Sequence, residues 1–485
     1  MGYDISFSRQ QYQEALLAGE CEPPGVFAPF INVDPQNYKR LKNNSSSPNI
    51  ASLKERFGPK WFDRLSGAVG LTLRHSKKYF PAYSLLMNEV LNNEWLAAVD
   101  SSEFHRDHVI HQPMSVYVGM SLLKGRDLSK EEDNDDSANR IKFNGKILLE
   151  HCVYMMAESP KCKYLRDYLV QLGANPEIFF GDTMDPGKLK LKLDAQDYVE
   201  FRKWLFLDTF FLATLFHDFG YPWSFINKVH EKLKTHSPIE NTIAQNSRRI
   251  AQQYSERLVL YPLKGYRDGD ITAPAPWSDD FYKLVEDSLS KTHGLPGAIA
   301  LLHLNDVIRK YPIDDYDRPI SRFCIEWAAM AVMMHDMIKM YAKINDDGKL
   351  ERNNPHLRLS LSRDPLSFML TLTDLIQDFD RPDASFKMSA HRYSKTDEGK
   401  VFNQADFESV VNFDSRCRGV KLNWDPTNGL LKIIYYYKRE GDFLKNRDDD
   451  IPKNQLLYFD PIIGYLDYSD AGIKKVELSA ELKKG

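Results

Sequence analysis

The stretch that most constrains this chain is Trp204 to Trp223, WLFLDTFFLATLFHDFGYPW. Leu205, Phe206, Phe210, Phe211, Leu212, Leu215 and Phe216 cover more than one face of a 3.6-residue helix, so the spacing predicts a buried central helix. At its end the chain turns polar: His217 and Asp218 arrive where Gly220 and Pro222 mark the helix stop. An imidazole and a carboxylate then stand side by side at the foot of an apolar wall. A buried carboxylate without a partner costs several kcal/mol or takes up a proton, so Asp218 calls for a cation.

The other helical patterns carry residues of the same chemistry. His111 opens a helix that continues Val116, Tyr117, Val118, Met120 and Leu122. His293 precedes Gly294 and the run Leu295 to Leu302, and His335 lies in the apolar run Ala328 to Met340. Asp374 sits in Leu366 to Phe379, where almost every position is apolar. Each alone reads as a satisfied core residue. Together, metal-type ligands on several apolar helices fit neutral imidazoles and ionised carboxylates gathered around one or two divalent ions.

The rest of the chain frames these helices. With 485 residues, 42% hydrophobic and 27% charged, it has an ordinary soluble composition with room for one large domain or two to three smaller ones. A net charge of -4 gives no global attraction for nucleic-acid polymers or anionic membranes. No run reaches the roughly 18 apolar residues that span a bilayer. Five cysteines without a CxxC pair indicate neither a disulfide framework nor a zinc knuckle, and the default setting is the reduced cytoplasm.

Residues 1 to about 60 read as loop-rich, with helical patterns at Ser52–Leu65 and Ala82–Val99. Further helical spacing is expected at Val109–Leu123, Ile147–Met156, Tyr164–Leu172, Ile226–Leu260, Asp280–Ser290, Gly297–Arg309, Ile320–Tyr341 and Pro365–Phe379. Asp127 to Asn139 reads as a solvated acidic loop. Val420–Trp424, Leu430–Lys438 and Leu456–Leu466 are rich in β-branched and aromatic residues, and Lys474–Leu478 can add another strand. Asn428-Gly429 signals a hairpin between the first two. The expected fold is mainly α, with a small β-containing carboxy-terminal appendage from about residue 410. The divisions are an extension at 1–103, a helical domain at 104–383 and a carboxy-terminal region at 384–485.

The order His111, His217-Asp218, His293, His335, Asp374 resembles the HD superfamily of metal-dependent phosphohydrolases, in its binuclear form. Arg106 to His111 leading into a helix with Gly119, the Phe219-Gly220-Tyr221-Pro222 that follows the pair, and Thr373 to Pro382 add to the likeness, which covers about residues 104 to 382. His108 competes with His111 as first ligand, though the spacing of His111 to Gly119 fits the pattern better. The resemblance implies that His111, His217, Asp218 and Asp374 hold a first ion and that Asp218 bridges to a second, completed by His293 and His335. Two metals about 3.5–4 Å apart activate a bridging water and neutralise phosphoryl oxygens. Manganese, iron or magnesium suits such ligation.

The implied activity is hydrolysis of a nucleotide phosphoester or phosphoanhydride, by a cyclic- or oligonucleotide phosphodiesterase or a deoxynucleoside triphosphohydrolase. A nucleotide-sensing module is the alternative. Many members carry a lysine three residues after the aspartate of the pair, where this chain has Tyr221. Lys291, Arg322 and Arg381 are then candidates for meeting phosphoryl charge. Tyr221 can stack on a base, Gln377 can meet a base edge, and Arg381 a phosphate. The expected partner is a small nucleotide, and the β segment offers a surface for homo-oligomers.

Overall fold

The computed structural model describes residues 3–8, 11, 15, 108–130, 140–158, 195–221, 292–308, 317–337, 342–344, 350–352, 358–379, 417–462 and 464–483. Six helices build the part that carries the site: α1 (His108–Lys124), α2 (Leu148–Glu158), α3 (Ala195–Phe216), α4 (Gly294–Ile308), α5 (Asp317–His335) and α6 (Pro365–Ile376). The patterns at Ser52–Leu65, Ala82–Val99, Tyr164–Leu172, Ile226–Leu260 and Asp280–Ser290 lie outside the described residues, as do residues 131–139 of the acidic segment.

α3 is the central helix that its sequence requires. Phe206, Phe210, Ala213, Leu215 and Phe216 are buried, while Phe211 and Leu212 pack against the same core. It touches α1, α2, α5 and α6, and α5 in turn packs on α4 and α6. Gly119 lets α1 come close to α3, since a Cβ there would lie 2.2 Å from the Phe210 ring. α6 starts cleanly because Asp364 accepts from the Ser367 backbone N–H at 3.0 Å and Pro365 fills the first helical turn.

A mainly α fold is overturned. Among the described residues 53% are helical and 21% are in strands, a share too large for an appendage to an α domain. A four-stranded mixed sheet runs in the order β1 (Tyr3–Phe7), β5 (Cys417–Asp425), β6 (Leu430–Tyr437), β8 (Lys475–Leu482). Two two-stranded sheets join it: β2 (Ala342–Ile344) with β3 (Leu350–Arg352), and β4 (Leu359–Ser360) with β7 (Leu466–Asp467). β1 comes from the segment expected to be loop. Its five residues alternate, with Ile5 and Phe7 inward, but a strand so short leaves little signal among prolines and polar residues.

The sheet is also not peripheral. Leu431, Ile433, Tyr435 and Tyr437 alternate inward along β6 and belong to the same core as the helices. Phe7 meets Tyr117 of α1 edge-on at 5.7 Å and stacks with Phe379 at 6.5 Å. The hairpin expected at Asn428-Gly429 is present: Asp425 accepts from the Thr427 N–H, and Gly429 takes φ +64°. Leu456–Leu466, read as strand-like, instead begins in a helix and reaches a strand only at Leu466: α7 (Glu440–Lys445) precedes α8 (Ile451–Phe459), which buries Ile451 and Phe459 two turns apart and has proline in its first turn. No helix among the described residues is long and apolar enough to cross a membrane.

Candidate metal centre

Six side chains from five segments meet at the ends of α3, α5 and α6, the start of α4 and the first turn of α1. His217 and Asp218 occupy the turn that leaves α3, closed by the Phe219 N–H to Phe216 O (3.1 Å) and the Tyr221 N–H to Asp218 O (3.1 Å). Glycine makes that turn fit. A Cβ on Gly220 would sit 1.9 Å from His293 O and 2.7 Å from Gly297 N, and one on Gly294 would sit 2.6 Å from Val332 O. Backbone-to-backbone approach at these two glycines brings the His-Asp turn, the head of α4 and the tail of α5 together.

The six form two groups, His111 with His217 and Asp374, and Asp218 with His293 and His335; within each, one ligand atom per residue lies within 4.8 Å of the others. In the first, His111 Nε2 is 3.1 Å from His217 Nε2 and 2.8 Å from Asp374 Oδ1. In the second, His293 Nε2 is 3.0 Å from His335 Nε2 and 3.0 Å from Asp218 Oδ1. Asp218 spans the two, because its other oxygen, Oδ2, lies 3.4 Å from His217 Nε2 and 3.6 Å from His111 Nε2.

Every imidazole is oriented from behind. His217 Nδ1–H donates to Thr214 O at 2.6 Å and His335 Nδ1–H to Val332 O at 2.5 Å. His293 Nδ1–H donates to Asp336 Oδ2 at 2.8 Å, and the His293 backbone N–H donates to the same oxygen at 2.9 Å. His111 Nδ1–H donates to Gln377 Oε1. With all four Nδ1 atoms serving as donors, all four Nε2 atoms present lone pairs inward, and two such pairs face each other across about 3 Å. Neutral imidazoles cannot satisfy one another in that geometry; a cation or a proton between them does. Two buried groups of histidine and aspartate can therefore hold divalent metal ions.

The electrostatics agree. Burial disfavours a charged His217, but the Asp218 carboxylate, and after it Asp374, outweighs burial and pushes its pKa up to about 9. His335, equally enclosed, goes the other way, to about 4, because burial and then the neighbouring His293 and His217 disfavour its charge. Burial opposes ionisation of Asp374, yet protons shared with His111 and His217, standing where a cation would, hold it well below the usual carboxylate range. Asp374 is thus kept ionised beside buried imidazoles, an arrangement that calls for positive charge.

Of the other expected residues, Tyr221 is in the site but not as free aromatic surface: its ring stacks flat on His293, with centroids 4.0 Å apart and an interplanar angle of 16°. Gln377 is buried behind His111, and its Nε2 donates to Phe379 O at 3.0 Å. Both ends of its amide are engaged, Oε1 with His111 Nδ1 and Nε2 with Phe379 O. Lys291 and Arg381 lie outside the described residues; Arg322 is in α5, but its side chain is not among those described. His111 is the histidine found in the first group; the side chain of His108, which begins α1, is not among those described.

Asp336 went unnoticed in the sequence. Its only signal was a second His-Asp dipeptide, His335-Asp336, in MMHDM. Its carboxylate fixes the tautomer and orientation of His293, a contribution typically worth about 10- to 100-fold in metal affinity. Asp336→Asn should weaken the ion held by Asp218, His293 and His335 by that factor and leave the other unchanged, as read by titration with Mn²⁺.

Comparison with protein-family models, with curated proteins and with solved structures gave no match.

Proposed function

We propose that this chain is a metal-dependent phosphohydrolase of the HD type, cleaving a phosphoester or phosphoanhydride bond of a nucleotide. The observation that supports it is the convergence of four Nε2 atoms on two carboxylates, with Asp218 facing both groups. Held there, divalent manganese, iron or magnesium supplies Lewis acidity and a water deprotonated near neutral pH. His111, His217 and Asp374 would hold one ion, His293 and His335 the other, and Asp218 both.

The protein's own part is orientation and access. Thr214 O, Val332 O, Asp336 and Gln377 fix the imidazoles, so no reorganisation is needed when phosphoryl charge develops. The Asp374 side chain is 31% exposed, whereas those of His111, His217, Asp218 and His293 are at most 6%. Substrate therefore approaches past Asp374. A second group complete with His293 and His335 favours a phosphodiesterase of cyclic or oligomeric nucleotides over a deoxynucleoside triphosphohydrolase with a smaller ligand set.

One observation favours a second reading. Tyr221 lays a neutral ring against His293 at the position where many relatives of the HD type carry a lysine, which suits a nucleotide-sensing module with little turnover. A panel of cyclic dinucleotides, linear oligonucleotides, ribonucleotides and deoxynucleoside triphosphates, assayed with Mn²⁺ beside Asp218→Ala, separates the readings. Turnover of the diesters, lost in the variant, is the expected result. Binding of a nucleotide without turnover by the metal-loaded chain would favour the sensor.

A further inference from the structure

Two of the ligand helices end at their ligands. His335 is the last residue of α5, and Asp374 lies two residues before the end of α6. The last four carbonyls of a helix have no partner within it, and such turns fray unless something outside accepts or donates. Here a tyrosine from the carboxy-terminal strands reaches each of them. Tyr435 O–H donates to Leu375 O at 3.0 Å, one residue beyond Asp374. Tyr465 O–H donates to Met334 O at 2.5 Å, one residue before His335.

Both phenols are buried and stand on rigid supports. Tyr435 lies in β6, inside the sheet, paired with Val420 of β5 on one side and Ala480 of β8 on the other. Tyr465 immediately precedes β7; its N–H donates to Leu457 O and its carbonyl accepts from the Leu359 N–H, each at 2.8 Å. Arg358 Nε donates to Gly464 O, also at 2.8 Å, next to it. One tyrosine thus serves each metal-holding group, because Asp374 belongs to the first and His335 to the second.

We propose that the carboxy-terminal strand unit is a working part of the metal centre, with Tyr435 and Tyr465 as positioning residues that set Asp374 and His335 separately through the ends of α6 and α5. The proposal rests on the reading of the two groups as metal sites but not on hydrolysis. It makes the two ions independently adjustable from the sheet: whatever shifts β6 acts on the first, and whatever shifts the β4–β7 pair acts on the second.

The test is calorimetric titration of the metal-stripped full chain with Mn²⁺, for wild type, Tyr435→Phe, Tyr465→Phe and Tyr437→Phe. The last removes a buried hydroxyl from the same strand that bonds to no ligand helix among the described residues. Wild type should take up two ions. Loss of one hydrogen bond should weaken one of them by about 3- to 10-fold in Tyr435→Phe and the other in Tyr465→Phe. Tyr437→Phe should alter only thermal stability. If both tyrosine variants leave both affinities unchanged, weaken the same ion, or match Tyr437→Phe, the two residues merely support the fold and the proposal is overturned. A wild-type chain that takes up no Mn²⁺ overturns it together with the metal reading beneath it.

Discussion

Replacing Asp218 with alanine should empty both metal positions at once. Its Oδ1 lies 3.0 Å from His293 Nε2 in one group and its Oδ2 lies 3.4 Å from His217 Nε2 in the other, so this one side chain serves the two. Two such ions would contribute several kcal/mol to the proposed phosphoryl transfer, and their loss should lower hydrolysis by roughly 10³-fold or more. The fold should survive, because the side chain faces the ligands and not the apolar core. Elemental analysis of the purified variant beside wild type checks the first part, and the nucleotide panel the second. Two ions retained, or turnover retained without them, would remove Asp218 from its central role.

Gly220→Ala should be the most damaging change that touches no ligand. The added Cβ would fall 1.9 Å from His293 O and 2.7 Å from Gly297 N, and both of these are backbone atoms that cannot swing aside. Relief requires the head of α4 to move away from the His-Asp turn, which pulls His293 from Asp218. The cost should be about 3 kcal/mol or more, at the upper end of overpacking penalties, with loss of the ion that His293 helps to hold. Gly441→Ala is the matched control, since a Cβ there meets nothing within 4 Å. Thermal unfolding of the two variants, with and without Mn²⁺, should show a large drop for the first and little change for the second. Equal stability would mean that the three-way glycine crossing does not set the site.

What could be read from the chain itself follows from the strength of each local signal. The central helix, the His-Asp pair at its end and the lone histidines and aspartate in otherwise apolar helices stand out because burial makes polar residues conspicuous. All six expected ligands come together in two groups. The partners behind them were harder to see. Thr214 O and Val332 O are backbone atoms with no sequence signature, and Asp336 is a single polar residue just past a helix end. Gln377 follows the last residue of α6 and its side chain meets His111, a direction that proximity to Asp374 along the chain does not give.

The sheet was the larger misreading. β1 pairs with β5 across more than 400 residues of sequence, Ile5 opposite Leu422 and Phe7 opposite Val420, and no local pattern can announce a partner so distant. Its five residues were therefore absorbed into a loop-rich extension, and the remaining strands looked like an appendage. Tyr435 and Tyr465 read as aromatic strand residues, yet each spends its hydroxyl on a helix end beside a ligand. β-Propensity describes a half-buried pleated surface and says nothing about what lies across it.

The most direct measurement is anomalous diffraction from crystals of the full chain grown with Mn²⁺. Two difference peaks are expected, one enclosed by His111, His217 and Asp374 and one by His293 and His335, with Asp218 between them contacting both. A map without a peak among these six residues would contradict the two-metal centre, and with it the proposed hydrolysis by metal-activated water.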